Sequence, residues 1–353
     1  MTFTPGTQLY KYILTRRIGG GHFGEVWLAH DATLSTDVAV KLLDERMAPA
    51  ADILKEAQVG NKLNHQNVVK VHYADVIDVG GSRVVVIAMD HHANGSIIGQ
   101  VNPGNFIIAP SAVSFAIDIL RGLEYLHEQS LFHNDIKPSN ILLGFKGEAL
   151  ITDYGISCIS PGLAPTAAPN AYVLHRAPET TATNSISVTT DIYQVGLTLY
   201  RLLNGIGSIK DLIARVGVNE FEKLKTEGKV PPPDGYMPFI TPTLKRIIAK
   251  ATNPDPTLRF QTALEMRRAL EKIAMYGHWD VSATGEFFGT LANNTYTYSI
   301  SKSKSGYEFS AFKMNNTTNR KTGISKFSAK SLTEKAHHGA QKKFMLAVVN
   351  GDL

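Results

Sequence analysis

The stretch His133-Asn134-Asp135-Ile136-Lys137-Pro138-Ser139-Asn140, followed after an apolar run by Asp153-Tyr154-Gly155, restricts this chain more than any other segment. A carboxylate at Asp135 can orient a hydroxyl and accept its proton as a bond to phosphorus forms, while Lys137 neutralises charge on the transferring group. Asn140 and Asp153 offer the hard oxygen donors that magnesium takes. Together they read as a phosphoryl-transfer centre in which metal, base and phosphate share one cleft.

Upstream, a loosely alternating run from Tyr10 to Ile18 leads into Gly19-Gly20-Gly21-His22-Phe23-Gly24-Glu25-Val26, and a second strand-like run follows to His30. Glycines let backbone approach phosphate oxygens where side chains would collide. A dinucleotide-binding loop would open directly into a helix, which Val26-Trp27-Leu28-Ala29 does not resemble, so a glycine-rich hairpin is expected. Val38-Ala39-Val40-Lys41 is a β-branched run ending in lysine, and a helix is expected from Ile53 to about Leu63. Val84 to Met89 reads as a buried strand, and apolar spacing from Ser114 to Gln129 as a buried helix. Ile141-Leu142-Leu143 and Ala149-Leu150-Ile151 form a short hairpin that sets Asp153 opposite Asn140.

These motifs, in this order, resemble the eukaryotic-type (Hanks-type) protein kinases, and the Lys137-Pro138 pairing resembles their serine/threonine branch, closest to the bacterial members. The resemblance covers roughly Tyr10 to Met275. It implies an α+β, bilobal fold with a small β-rich lobe and a larger helical one, and ATP and Mg2+ as cofactors. It implies that Asp135 is the base and that Lys137 and Lys41 meet phosphate. Glu56 matches the helix glutamate that pairs with such a lysine, a clamp that also acts as a switch. The nucleotide would lie against Ile18, Gly19, Gly20, Gly21, His22, Phe23, Gly24 and Val26, with Ala39 above and Leu142 below. Met89 would line the back of the adenine pocket, and backbone groups of Asp90 and His92 would pair with the adenine edge. Asn140 and Asp153 would hold the metal.

The resemblance further implies that Asp191, in the central helix of the large lobe, braces the catalytic loop, and that Glu179 pairs with Arg259. Asp153 to Ala177-Pro178-Glu179 would form the activation segment and the floor for a peptide. Three positions depart from the family pattern. Asn134 stands where many members carry a phosphate-gripping arginine, so activation should not depend on that contact. Tyr154 replaces a phenylalanine, with the small Gly60 expected to make room for its hydroxyl, and Tyr172 stands where a threonine is usual. The rival readings are a pseudokinase scaffold and a small-molecule phosphotransferase of aminoglycoside type.

Composition limits the setting. The longest apolar run, Val84 to Met89, is too short to cross a bilayer, and the amino terminus lacks a charged-then-apolar signal, so no membrane and a cytoplasmic location are expected. The single cysteine, Cys158, makes no internal disulfide and fits a reducing compartment. After Asp280, ten basic and four acidic residues give +6 within a chain of net charge +5, so a nearly neutral enzyme precedes a basic module.

The expected domains are a kinase domain at 8–275, a linker with aromatic anchors at 276–294, and a small βββα or ββα accessory module at 295–353. In the module, strands are expected at Tyr296–Ile300 and Tyr307–Ala311, with Ile324–Phe327 as a third. A helix would open on a Ser331–Glu334 capping box, carry an apolar stripe of Leu332, Ala336, Ala340, Phe344 and Val348, and stop at Asn350-Gly351. Protein substrates are implied by the family. A nucleic acid or protein partner is expected of the basic module, with protein or peptide docking favoured.

Overall fold

The unbroken apolar run at Val84–Ala88 is explained by its position between two cores. Val84, Val86 and Ala88 pack with Leu14, Trp27, Val40 and Leu42 on one side of a sheet, while Val85 and Ile87 join Leu43, Leu63 and Val71 on the other. Successive strand side chains point to opposite faces, so a strand covered on both faces loses the polar alternation of a half-exposed one. The sheet comprises β1 (Gln8–Leu9), β2 (Tyr12–Gly21), β3 (Gly24–Asp31), β4 (Thr36–Asp44), β5 (Val71–Val79) and β6 (Ser82–Asp90), in the order β1-β2-β3-β4-β6-β5. The structure is a computed structural model that describes residues 3–21, 24–44, 54, 58, 60–153, 158–167 and 173–353. Residues 60–62 are helical, as expected before Leu63, and Gly60 is buried. Glu56, His22, Phe23, Tyr154 and Tyr172 lie outside the described residues, and with them the Lys41–Glu56 pair and the fit of Tyr154 to Gly60.

The larger lobe is helical. Helix α1 (Ala109–Glu128) begins five residues before the expected Ser114. Pro110 in its first turn costs no hydrogen bond, because amides there have no intrahelical acceptor. Its buried face carries Ala112, Val113, Ala116, Ile119, Leu120, Leu123 and Leu126. Gly122 lets α1 close on the chain at Asn67, where a Cβ would stand 2.7 Å from the carbonyl oxygen. The catalytic stretch lies between β7 (Leu131–Phe132) and the hairpin β8 (Ile141–Leu143) and β9 (Ala149–Ile151).

Beyond it, β10 (Cys158–Ile159) pairs with β7, and β11 (Thr166–Ala167) with β12 (Ser185–Ile186). The helices α2 (Pro178–Thr183), α3 (Val188–Asn204), α4 (Ser208–Val216), α5 (Val218–Thr226), α6 (Pro242–Ala251) and α7 (Ala263–Glu271) complete the lobe. The Thr262 hydroxyl caps α7 by accepting from Glu265 N at 3.0 Å. The Glu265 carboxylate accepts from Gln261 N at 2.8 Å, one residue before the cap.

The tail corrects several expectations. Residues 276–294 are not a linker but contribute β13 (Gly277–Val281) and β14 (Phe287–Leu291) to a sheet with β15 (Asn294–Ser303), β16 (Gly306–Asn315), β17 (Lys321–Gly323) and β18 (Ala329–Leu332). Six strands and one helix, α8 (Glu334–Asn350), replace the expected βββα or ββα unit. Residues 325–327 form a short turn of helix between β17 and β18 rather than a strand. Thr333, not Ser331, caps α8, accepting from Ala336 N at 3.3 Å, because Ser331 is already in β18. The stripe is half right. Phe344 and Val348 are fully buried, whereas Ala336 is exposed and His337 is buried next to it. Gly351 ends the helix in the left-handed region, as expected.

Trp279 is the centre of this unit, fully buried with its indole N–H donating to Met345 O at 2.9 Å. The sheet also packs on the large lobe. The Phe287 ring stacks on Phe106 at 6.4 Å and lies 6.2 Å from Phe239, and Asn102 Nδ2 donates to Asp280 Oδ1 at 2.7 Å. No helix among the described residues is long and apolar enough to cross a membrane.

Candidate active site

Three residues on one face of α3 hold the catalytic loop. The Asp191 carboxylate accepts from the backbone N–H of His133 at 3.0 Å and of Asn134 at 2.7 Å, and from His127 Nε2 at 2.9 Å. One turn on, Gln194 accepts from Ile136 N at 2.9 Å and donates to Asn134 O at 2.8 Å. Thr198 donates to Ile136 O at 3.3 Å. Positions three and four apart on a helix are neighbours, so this spacing presents one polar edge to the loop. Sequence reasoning found Asp191 and missed Gln194 and Thr198, whose spacing from Asp191 was the available signal.

His133 ties the loop to the strand end that precedes Asp153. Its Nδ1 accepts from Asp135 N at 3.2 Å, so Nε2 carries the proton and donates to Thr152 O at 3.1 Å. Burial pushes its imidazole below the ordinary pKa, against the pull of Asp191 and Asp135, so the ring is neutral. Asn134 adopts φ +63°, a left-handed conformation that asparagine tolerates better than most residues. Its amide is 1% exposed, turned inward rather than offered to a phosphate.

The two oxygens of Asp135 are in different situations. Oδ2 accepts from Lys137 Nζ at 2.6 Å and from Asn140 Nδ2 at 2.7 Å, whereas Oδ1 is buried without a hydrogen-bond partner. A buried acceptor left unsatisfied is costly, and a hydroxyl entering the cleft would satisfy it. Asn140 Nδ2 also donates to Asp135 O at 3.0 Å, which fixes the amide, and its oxygen accepts from Ser139 Oγ at 3.3 Å. Thr152 N donates to Asn140 O at 3.0 Å, so the β8–β9 hairpin brings Asp153 beside Asn140.

Asp153 sits at φ +68°, with its carboxylate paired to Lys41 on β4. Burial alone would raise its pKa, but Lys41 outweighs it, and the carboxyl is held below its usual value. Two oxygen ligands and flanking cations suit a hard divalent ion whose other ligands are phosphate oxygens and water. Among the described residues no group of three or more His, Cys, Asp or Glu side chains could hold a metal by itself.

The residues expected to face the nucleotide include four on one side of the small-lobe sheet. The register sets Gly19 opposite Val26, Val26 opposite Lys41, and Ala39 opposite Met89. Directly paired residues share a face, as do residues two apart, so Val26, Ala39, Lys41 and Met89 line one surface. Leu142 is half-buried on β8 of the large lobe, and Ile18 is exposed at the glycine-rich end.

Within the hairpin Gly20 pairs with Glu25, and Gly21 with Gly24. Gly24 has φ +149°, and a Cβ there would stand 2.0 Å from Leu42 O, so the close passage of β4 alone demands glycine. At the hinge Asp90 N donates to Lys70 O at 3.0 Å. His92 N is one turn of chain further on, and its imidazole is held below its ordinary pKa by burial.

The family model for the protein kinase domain matches residues 12–270. The chain belongs to the protein kinase family. The Probable serine/threonine-protein kinase SCO3848 of Streptomyces coelicolor is 30% identical over 273 residues, covering 74% of this chain and 39% of that protein. The serine/threonine-protein kinase PknB of Mycobacterium leprae is 27% identical over 281 residues, 76% of this chain and 44% of its own length. The serine/threonine-protein kinase PrkC of Bacillus subtilis is 27% identical over 264 residues, 72% of this chain and 39% of that protein. The chain thus spans less than half the length of these relatives.

As a protein kinase domain, the chain closes its large lobe with a second expected pair. Glu179, following Ala177-Pro178, meets Arg259 through two 2.7 Å bonds. Further residues at this floor were not foreseen. His175 is fully buried and accepts from Arg201 Nη1 at 2.7 Å, and Lys225 reaches the same segment from α5.

Proposed function

We propose that this chain is a serine/threonine protein kinase that transfers the γ-phosphoryl group of ATP to a protein hydroxyl. The observation that carries the reading is the Asp135 carboxylate, with Oδ2 clamped by Lys137 and Asn140 while Oδ1 is buried and unpaired. A hydroxyl donating to Oδ1 would be aimed at the phosphate and would release its proton there. The Lys137 ammonium pairs with Asp135 at 2.6 Å and would lie where charge builds on the transferring group. Lys41 would meet the nucleotide phosphates from above, with Glu56 as its expected partner. Asn140 Oδ1 and the Asp153 carboxylate would hold magnesium, which supplies positive charge against the phosphates when bound.

Val26, Ala39, Met89 and Leu142 would enclose the base, with the backbone of Asp90 and His92 at its edge, and Ile18 to Gly24 would cover the phosphates. The floor closed by Glu179 and Arg259 favours a protein acceptor over a small molecule, since it gives an extended peptide a fixed bed. The absence of an apolar spanning helix among the described residues is compatible with a cytoplasmic enzyme. The tail, with its +6 charge, is read as a docking module for a protein or nucleic acid partner.

The test is transfer of labelled phosphate from ATP to protein by the full chain. Asp135→Asn keeps an Oδ1 acceptor but loses the base, and transfer should fall by about 10²–10⁴ with nucleotide affinity retained. Equal incorporation by wild type and Asp135→Asn, or none by either, would favour a scaffold instead.

A further inference from the structure

Lys225 on α5 is 1% exposed, and a lysine that buried is rare without partners. Its ammonium has three protons to donate and faces three acceptors: Arg176 O at 2.8 Å, Val173 O at 3.4 Å and the Glu222 carboxylate at 2.9 Å. Glu222 in turn accepts from the Thr181 hydroxyl at 3.0 Å and lies 3.5 Å from the Arg176 guanidinium. The two carbonyls bracket a four-residue segment that leads directly into Ala177-Pro178-Glu179.

Between them the side chains of Leu174 and His175 are buried in the large lobe. His175 accepts from Arg201 of α3, the helix whose Asp191, Gln194 and Thr198 hold the catalytic loop. One short segment therefore spans from the Lys225 ammonium on one side to the helix that carries the catalytic loop on the other. A compact ammonium saturated by three oxygens has little freedom, so it sets where this backbone lies.

We propose that Lys225 is a positioning residue for the protein substrate, its ammonium fixing residues 173–176 against the catalytic loop so that an acceptor peptide is presented to Asp135. The inference rests on the kinase reading of the site. It assigns Lys225 an effect on the protein acceptor and none on the nucleotide, because among the described residues the contacts of Lys225 are with the large lobe alone. A residue that merely stabilised the fold would depress every kinetic constant together.

The test uses the full chain and the variants Lys225→Met, Lys225→Arg and Glu222→Gln, with dephosphorylated casein as acceptor and hydrogen exchange as a readout independent of catalysis. Losing one charge-assisted clamp should raise the casein KM about tenfold in Lys225→Met, leaving the ATP KM within about twofold. The amides of 174–177 should exchange at least about tenfold faster, while those of His133, Asn134 and Ile136, held by Asp191 and Gln194, keep their protection.

Glu222→Gln, which retains a neutral acceptor, should shift both readouts less, and it carries the test if Lys225→Met fails to fold. Unchanged exchange at 174–177, or a parallel change in both KM values, overturns the inference. Absence of transfer by the wild type overturns the kinase reading instead, and the exchange result then still decides whether Lys225 holds the segment.

Discussion

Arg259 grips Glu179 with both prongs of its guanidinium, Nη1 to Oε1 and Nη2 to Oε2 at 2.7 Å each, across 80 residues of chain. The guanidinium is fully buried, lies over the Tyr193 ring at 4.9 Å, and donates further to Asn253 O and Thr189 O. Removing one partner leaves a buried charge without its counterion. Glu179→Gln should therefore lower unfolding free energy by about 3–5 kcal/mol, read by chemical denaturation. A loss under 1 kcal/mol would mean that water already screens the pair.

Asp191→Asn should separate bracing from nucleotide binding. An amide oxygen can accept from one loop N–H but loses the charge and the second acceptor, so stability should fall by about 1.5–3 kcal/mol. Phosphate transfer should fall more than ATP affinity, because the loop that carries Asp135 moves while the small-lobe sheet does not. Transfer and affinity reduced in equal measure would contradict that separation.

Acid should destabilise the large lobe before its carboxylates protonate. His133 and His175 are held neutral with pKa values below normal, chiefly by burial, and for His175 also by Arg201. A histidine whose folded pKa is depressed binds its proton first in the unfolded state. Stability is then complete above the unfolded value of about 6.5 and is lost as pH falls below it. Each such ring contributes a slope approaching about 1.4 kcal/mol per pH unit in that range. Urea titrations between neutral pH and pH 5 should show the slope, and His175→Gln should reduce it. An unchanged slope in that variant would assign the acid sensitivity elsewhere.

The tail sheet should stabilise the large lobe through Phe287. Its half-buried ring bridges Phe106 and Phe239, so Phe287→Ala should cost about 2 kcal/mol, seen as a lower Tm for the full chain. A fragment beginning at residue 291 would lack β13 and β14 and bury no Trp279, so it should not fold as the tail does in the full chain.

The identities that carry chemistry were legible in the sequence because each has a role that few residue types can perform. Gly24, expected for phosphate approach, is instead demanded by the passage of β4, whereas a base and metal ligands would need groups such as Asp135, Asn140 and Asp153. The same holds for Asp191 and for Glu179 with Arg259, whose placement the family resemblance supplied. Local periodicity was a weaker guide where it met packing. Helix α1 starts at Ala109 because a proline turn can begin it, and residues 276–294 are strands because Trp279 and Phe287 find partners in α8 and the large lobe.

What the sequence determined by itself is the set of groups that can bind phosphate and move a proton, since that depends on side-chain chemistry and order along the chain. Only the tertiary structure decided that one oxygen of Asp135 stands unpaired, that Gln194 and Thr198 support the loop, and that Lys225 is buried beneath residues 173–176. The last two arise from contacts between residues 49 or more apart in sequence, and no local pattern of residues records which distant carbonyl an ammonium will meet.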